Sequence, residues 1–126
     1  MTRIEGHTNN APAPVAPYSQ SVRIGNVVAV AGHAGVDPAT GSLSSSDVTG
    51  QTVQTLRNIE AIPRASGATL DEVIRVDVYL ADMADFATMN SAYAKIFVAP
   101  YPARTTVGVQ LPANLKVEIT VLAVIP

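Results

Sequence analysis

Two stretches of this chain are apolar on both sides of the strand each would form, yet only two helices can be read between them. The first is Val27-Val28-Ala29-Val30-Ala31, a continuous apolar run. The second covers residues 116–125. There Val117, Ile119, Val121 and Ala123 fall on one face, while Leu122 and Val124 share the other with Glu118 and Thr120. Strands of this kind read as covered on both faces. Two helices can cover one face of a mixed sheet, so the other face needs a cover that the chain does not supply. Composition points the same way. Charged residues are 14% of the 126, against about a quarter in ordinary soluble domains, and much of the 48% hydrophobic content is Val and Ala. A surface this poor in charge is expected to hide part of itself in a subunit interface.

The length fits one domain, 1–126, with residues 1–17, rich in Pro, Ala and Asn, as an extended arm. Residues 19–24 predict a strand and Gly25-Asn26 a hairpin turn; residues 37–41 read as a loop. Ser45, Ser46 or Asp47 can cap a first helix, in which Val48, Thr52, Val53, Leu56, Ile59 and Ile62 recur at helical spacing. Pro63 should kink or end that helix, and Gly67 should stop it. Residues 73–80 alternate, with Ile74, Val76, Val78 and Leu80 opposite Arg75, Asp77 and Tyr79. Asp82 can cap a second helix, with Asp85 placed to close a capping box. Phe86, Met89, Asn90, Tyr93, Ile96 and Phe97 share its face, and Pro100 and Pro102 end it. Strands over 104–110 and 116–125 complete a ββαβαββ order.

The net charge is −2, and the eight Lys and Arg are scattered singly. Nucleic-acid binders carry a basic face that neutralises phosphates, so no nucleic-acid partner is expected. There is no cysteine, which excludes disulfides, thiolate catalysis and Cys-based metal sites. His7, His33 and Asp37 do not have a metal-ligand spacing. No Gly-rich phosphate loop stands at a strand-to-helix junction, and the serines lack a nearby histidine to activate them. Met1 to His7 show no apolar signal region, and no apolar window reaches the length of a membrane span. A cytoplasmic protein without a membrane partner is the expectation.

Arg104 stands at the start of a strand that is otherwise apolar or small, and Pro102 fixes its approach. Guanidinium groups grip carboxylates bidentately; a pairing with a neighbouring acid at a strand start is the alternative. Glu118 interrupts a β-branched run, where an unpaired charge is costly. It directs a water, pairs with Arg104 or Lys116, or is simply exposed at a sheet edge. Tyr18 offers a phenol to a ligand, or is an amphipathic residue at a strand start. Asn90 and Tyr93 read as helix-face packing. His33, two residues from Ala31, brings a titratable group to the same face if the strand continues; a solvent-exposed loop histidine is the other reading.

Four segments, in this order, resemble the RidA/YjgF family of reactive intermediate (imine) deaminases. They are Pro14-Val15-Ala16-Pro17-Tyr18-Ser19-Gln20; Ala31-Gly32-His33 with Asp37-Pro38 and Gly41; Gln51-Thr52 with Asn58-Ile59; and Pro102-Ala103-Arg104, Leu111-Pro112 and Val117-Glu118-Ile119. Phe86, Asn90, Tyr93 and Phe97 fall where that family has its second helix. The resemblance implies an α+β, chorismate-mutase-like domain, with two helices packed on one face of a mixed sheet. It also implies a homotrimer whose sheets form a barrel-like centre, with ligand sites in the clefts between subunits. The implied activity is hydrolysis of enamines or imines, such as 2-aminoacrylate, to 2-oxo acids and ammonia, with no metal or organic cofactor. On that pattern Arg104 and the Thr106 backbone N–H bind the substrate carboxylate, Glu118 directs water, and Tyr18, Gly32 and Asn90 complete the pocket. Ala31 departs from the family's usual serine and loses its hydroxyl; with His33 it bears on substrate preference. The Arg-to-Glu separation is a residue shorter than usual, which puts the change in the loop around Gln110 to Asn114. Three other readings stay open: a non-catalytic 2-oxo acid binder, a deaminase of a larger amino-substituted acid, and RNA cleavage, against which the acidic balance counts.

Overall fold

A computed structural model describes residues 1–126. Its strands are β1 (Ile4–Gly6), β2 (Ser21–Ile24), β3 (Val27–His33), β4 (Val73–Leu80), β5 (Ala103–Gly108) and β6 (Val117–Val124), with helices α1 (Val48–Ala65) and α2 (Phe86–Tyr93). They form one sheet in the order β1-β2-β3-β6-β4-β5. Only β4 and β5 run parallel, and every other pairing is antiparallel. The expected ββαβαββ order is present, but a strand precedes it. Ile4, Glu5 and Gly6, assigned to the extended arm, pair with Arg23, Val22 and Ser21. So short a segment carries no readable alternation; pairing to an existing edge makes it a strand.

Both helices lie on one face of the sheet. Leu56, Ile59 and Ile62 of α1, with Met89, Tyr93 and Phe97, pack on the inward residues of β3, β4 and β6, including Val28, Val76, Val78, Ile119 and Val121. Side chains alternate across a strand, so the opposite face carries Val27, Ala29, Thr120, Leu122 and Val124. Within one chain that face is open: Val27 and Ala29 are exposed and the three β6 residues only half-buried. The expectation that β3 and β6 are covered on both sides is therefore not met by this chain alone.

Local chemistry sets the element ends. Asp47 caps α1, its Oδ1 accepting from the Gly50 N–H at 2.7 Å. Pro63 does not interrupt α1, because it falls in the last turn; the helix runs two residues further and stops before Gly67, whose φ is +91°. In β4 a register shift between Val73 and Arg75 turns Ile74 outward, 50% exposed, so the inward face is Val73, Val76, Val78 and Leu80. That bulge breaks the expected alternation at its first residue. Asp82 accepts from the Ala84 N–H at 2.9 Å and starts a 3-10 turn, Met83–Asp85, ahead of α2. Asp85 makes no capping bond with its side chain. The capping box forms instead at Thr69 and Glu72, before β4.

Two buried amides tie loops to this frame. Gln20 donates to the carbonyls of Thr8, Ala11 and Pro12 and accepts from the Thr8 N–H, pinning the arm. Asn58 donates to Ala34 and Val36 at 3.1 and 2.8 Å, fixing the segment after β3. A buried amide without such partners would cost about 1–3 kcal/mol.

Candidate active site

Arg104 lies on the first half of edge strand β5, opposite Val76 of β4. Val76 points into the core, so Arg104 lies on the helix side of the sheet, where α2 meets it. Asn90 and Tyr93 are three residues apart and share one helix face. Asn90 Oδ1 accepts from Arg104 Nη2 at 2.6 Å. The guanidinium carbon stands 4.8 Å from the Tyr93 ring centroid and 5.7 Å from that of Phe86, a cation–π arrangement. No carboxylate comes within 4.0 Å of this guanidinium; the ion pairs are Arg64–Glu60 and Arg75–Asp77. The alternative of an acid partner for Arg104 is thereby removed. The side chain is half-buried, oriented by a neutral oxygen and an aromatic ring, and has no anionic partner. It lines a cavity of about 300 Å³ with Asn90, Tyr93, Ala94, Tyr101 and Pro102. Burial pushes the Tyr93 phenol up from its ordinary value, opposed by the Arg104 charge, so the phenol is protonated at neutral pH.

Thr106 follows on the same side of β5, opposite Val78. The Val109 N–H donates to the Leu80 carbonyl at 2.9 Å. N–H directions alternate along a strand, so those of Thr105 and Val107 also turn toward β4. The Thr106 N–H then points out along the free edge, near Arg104.

Glu118 is elsewhere. It pairs with Tyr79, whose β5 neighbour is Val107. All three belong to the open face, whereas Arg104 belongs to the helix face. Glu118 is half-buried and forms no ion pair with Arg104 or Lys116. Its carboxylate lies against β3: a Cβ placed on Gly32 would stand 3.1 Å from Glu118 Cδ and Oε2. Gly32 thus leaves room that any larger residue would take.

The remaining candidates divide between these places. Asn90 is with Arg104. Ala31 is beside Gly32 and donates its N–H to the Gln20 carbonyl at 2.9 Å. Tyr18 is 45% exposed and precedes β2, which lies toward the opposite edge of the sheet from β5. His33 is neither exposed nor on the open face. It is 6% exposed and aligned with the buried Ile119, because β3 continues through it past a bulge. Burial lowers its pKa below the ordinary 6.5, opposed in part by a hydrogen bond to the Gln20 backbone, so it is neutral at pH 7. Tyr93 and Phe86, which hold Arg104 in place, read in the sequence as packing; their register with β5 is what reveals them. No group of three or more His, Cys, Asp or Glu is placed to hold a metal, and no helix is long and apolar enough to cross a membrane.

A six-stranded mixed sheet with both helices on one face puts the chain in the chorismate-mutase-like α+β class. The sequence family described as Endoribonuclease L-PSP matches residues 8–125. A RutC family protein of Pyrococcus horikoshii is 47% identical over 117 residues, 92% of this chain and 93% of that one. The 2-iminobutanoate/2-iminopropanoate deaminase of Escherichia coli is 40% identical over 121 residues, 93% of this chain and 94% of the enzyme. The crystal structure of RidA from an Antarctic Psychrobacter superposes with a TM-score of 0.93 at 40% identity, covering 98% of this chain and 100% of that one. The chain belongs to the RidA/YjgF family.

Proposed function

We propose that this protein hydrolyses small 2-imino acids, formed from enamines such as 2-aminoacrylate, to 2-oxo acids and ammonia. The observation that carries this reading is Arg104: a half-buried guanidinium with no acid partner, oriented by Asn90 and Tyr93 at the wall of a cavity. Such a group is free to grip a ligand carboxylate bidentately, with the Thr106 N–H as a further donor. The enzyme names carried by relatives such as the E. coli protein agree with it. Glu118 takes a proton from water as the water adds to the imine carbon. The proton passes to nitrogen to give a carbinolamine; its hydroxyl proton then moves to nitrogen through the same carboxylate, the C–N bond breaks as the carbonyl forms, and ammonia leaves. An imine carbon is already electrophilic, so a clamp, a directed water and a shielded cleft are sufficient help, and no cofactor is required.

Arg104 and Glu118 occupy opposite faces of one sheet and cannot meet within a chain. In this reading the Arg104 half of one copy faces the Glu118–Gly32 half of another, in a homotrimer that also covers the apolar open face. Ala31, Gly32 and Tyr18 then belong to the second copy's contribution. RNA cleavage has less support, since the net charge is −2 and the cations are dispersed. A binding-only protein is the second reading, favoured by Ala31, which brings no hydroxyl to the cleft.

The test generates imines with an amino-acid oxidase and traps them with semicarbazide. The protein should cut semicarbazone formation, and Arg104→Ala should abolish that effect while leaving the fold intact. Unchanged activity in Arg104→Ala would refute the clamp. Binding of 2-oxobutanoate without any turnover would favour the second reading.

A further inference from the structure

Gln51 is completely buried in the first turns of α1. Its amide is committed to backbone beyond the helix. Nε2 donates to the Asn114 carbonyl at 2.9 Å and to the Ser45 carbonyl at 3.2 Å, and Oε1 accepts from the Lys116 N–H at 2.8 Å. Asn114 is the one non-glycine residue with positive φ, +70°, so the chain turns sharply there before β6 begins. On the other side, the Lys116 carbonyl accepts from the Ala81 N–H at 3.1 Å. The peptide two residues before Glu118 is thus clamped between the end of β4 and one side chain of α1. The two bonds from Gln51 to this turn span 63 and 65 residues. No local preference of the loop could substitute for them, and without them a backbone donor and acceptor lose their partners.

We propose that Gln51 is the positioning residue of Glu118: it sets where β6 starts, and hence how the Glu118 carboxylate lies against Gly32. This rests on the reading of Glu118 as the group that directs water. Gln51 does not line the Arg104 cavity, which α2, β5 and the segment between them build. Its loss should therefore disturb turnover and spare carboxylate capture. The amide is required because the site needs donors and an acceptor from one side chain. Methionine has the length and neither function. A protonated glutamate offers one donor beside an acceptor, whereas an ionised one sets negative charge against two carbonyls.

The experiment compares Gln51→Met and Gln51→Glu in the full chain, alone and combined with Glu118→Gln, by imine hydrolysis and by 2-oxobutanoate titration. Gln51→Met should lower kcat about tenfold, within the roughly 10²-fold that a 1 Å misplacement can cost, while the Kd for 2-oxobutanoate is unchanged. In the Glu118→Gln background it should lower kcat no further. Gln51→Glu should recover activity at acidic pH and lose it as the new carboxyl ionises. An equal loss in both backgrounds, or a Kd that rises with the fall in kcat, overturns the proposal in favour of a general structural role. If the wild type shows no turnover, the functional reading fails and positioning is read from the 13C resonance of the Glu118 carboxyl carbon. A shift in Gln51→Met supports it, and an unmoved resonance overturns it.

Discussion

Asn90→Asp is the substitution most diagnostic of the Arg104 clamp. It places a full negative charge where a neutral oxygen now accepts from Nη2 at 2.6 Å. Two unit charges about 4 Å apart attract by about 4 kcal/mol at an effective dielectric of about 20, whereas fully exposed pairs are worth about 0–1 kcal/mol. Arg104 is half-buried, so a value near 2 kcal/mol is reasonable. A ligand carboxylate must overcome that competition, which corresponds to about thirtyfold weaker binding. Asn90→Ala should cost only a few-fold, because the guanidinium keeps its charge and its place over Tyr93. Calorimetric titration of 2-oxobutanoate into both variants measures the difference. Affinity in Asn90→Asp should also recover in acid, once the introduced carboxyl protonates. If Asn90→Asp binds as tightly as wild type, or more tightly than Asn90→Ala, the guanidinium is not the carboxylate receptor.

Gly32→Ala should slow imine hydrolysis with little loss of ligand binding, since its Cβ would stand 3.1 Å from the Glu118 carboxylate; steady-state kinetics beside calorimetry would check this. His33 predicts the pH dependence of stability. Its pKa is lowered in the folded protein from 6.5, so below pH 6.5 the unfolded chain binds more protons than the native one, and stability must fall as pH falls. Thermal melts between neutral and acidic pH should show that slope, reduced in His33→Gln; an identical slope would place the proton uptake elsewhere.

Much of this fold is legible in the sequence. The alternation of β6 and the helical spacing from Val48 to Ile62 follow from local chemistry and appear in the structure, and of the three possible caps, Ser45, Ser46 and Asp47, it is Asp47 that caps α1. What escaped depends on partners distant in the chain. β1 exists because β2 offers an edge, and Ile74 turns outward because a bulge against β6 shifts its register. Gln20, Gln51 and Asn58 are polar side chains in the core, where hydropathy predicts none; each is buried because it completes the hydrogen bonds of a loop from elsewhere. His33 fits neither of its two readings, because β3 continues through it and a bulge turns it to the helix face. The site shows the same limit. Arg104 and Glu118 were recognisable as residue types, but their assignment to opposite faces needs the β4–β5 and β4–β6 registers together. Two residues that look like neighbours in one pocket therefore lie on opposite faces of the sheet, and only in the proposed assembly would they share a site.

Subunit mixing tests this most directly. Arg104→Ala and Glu118→Ala proteins, each inactive alone, are unfolded together, refolded and assayed for imine hydrolysis. If the site joins one copy's Arg104 to another's Glu118, mixed assemblies contain intact pairs and activity returns. If activity stays at the level of the separate variants while mixed assemblies form, the two residues do not act across a subunit boundary, and the account of this site is wrong.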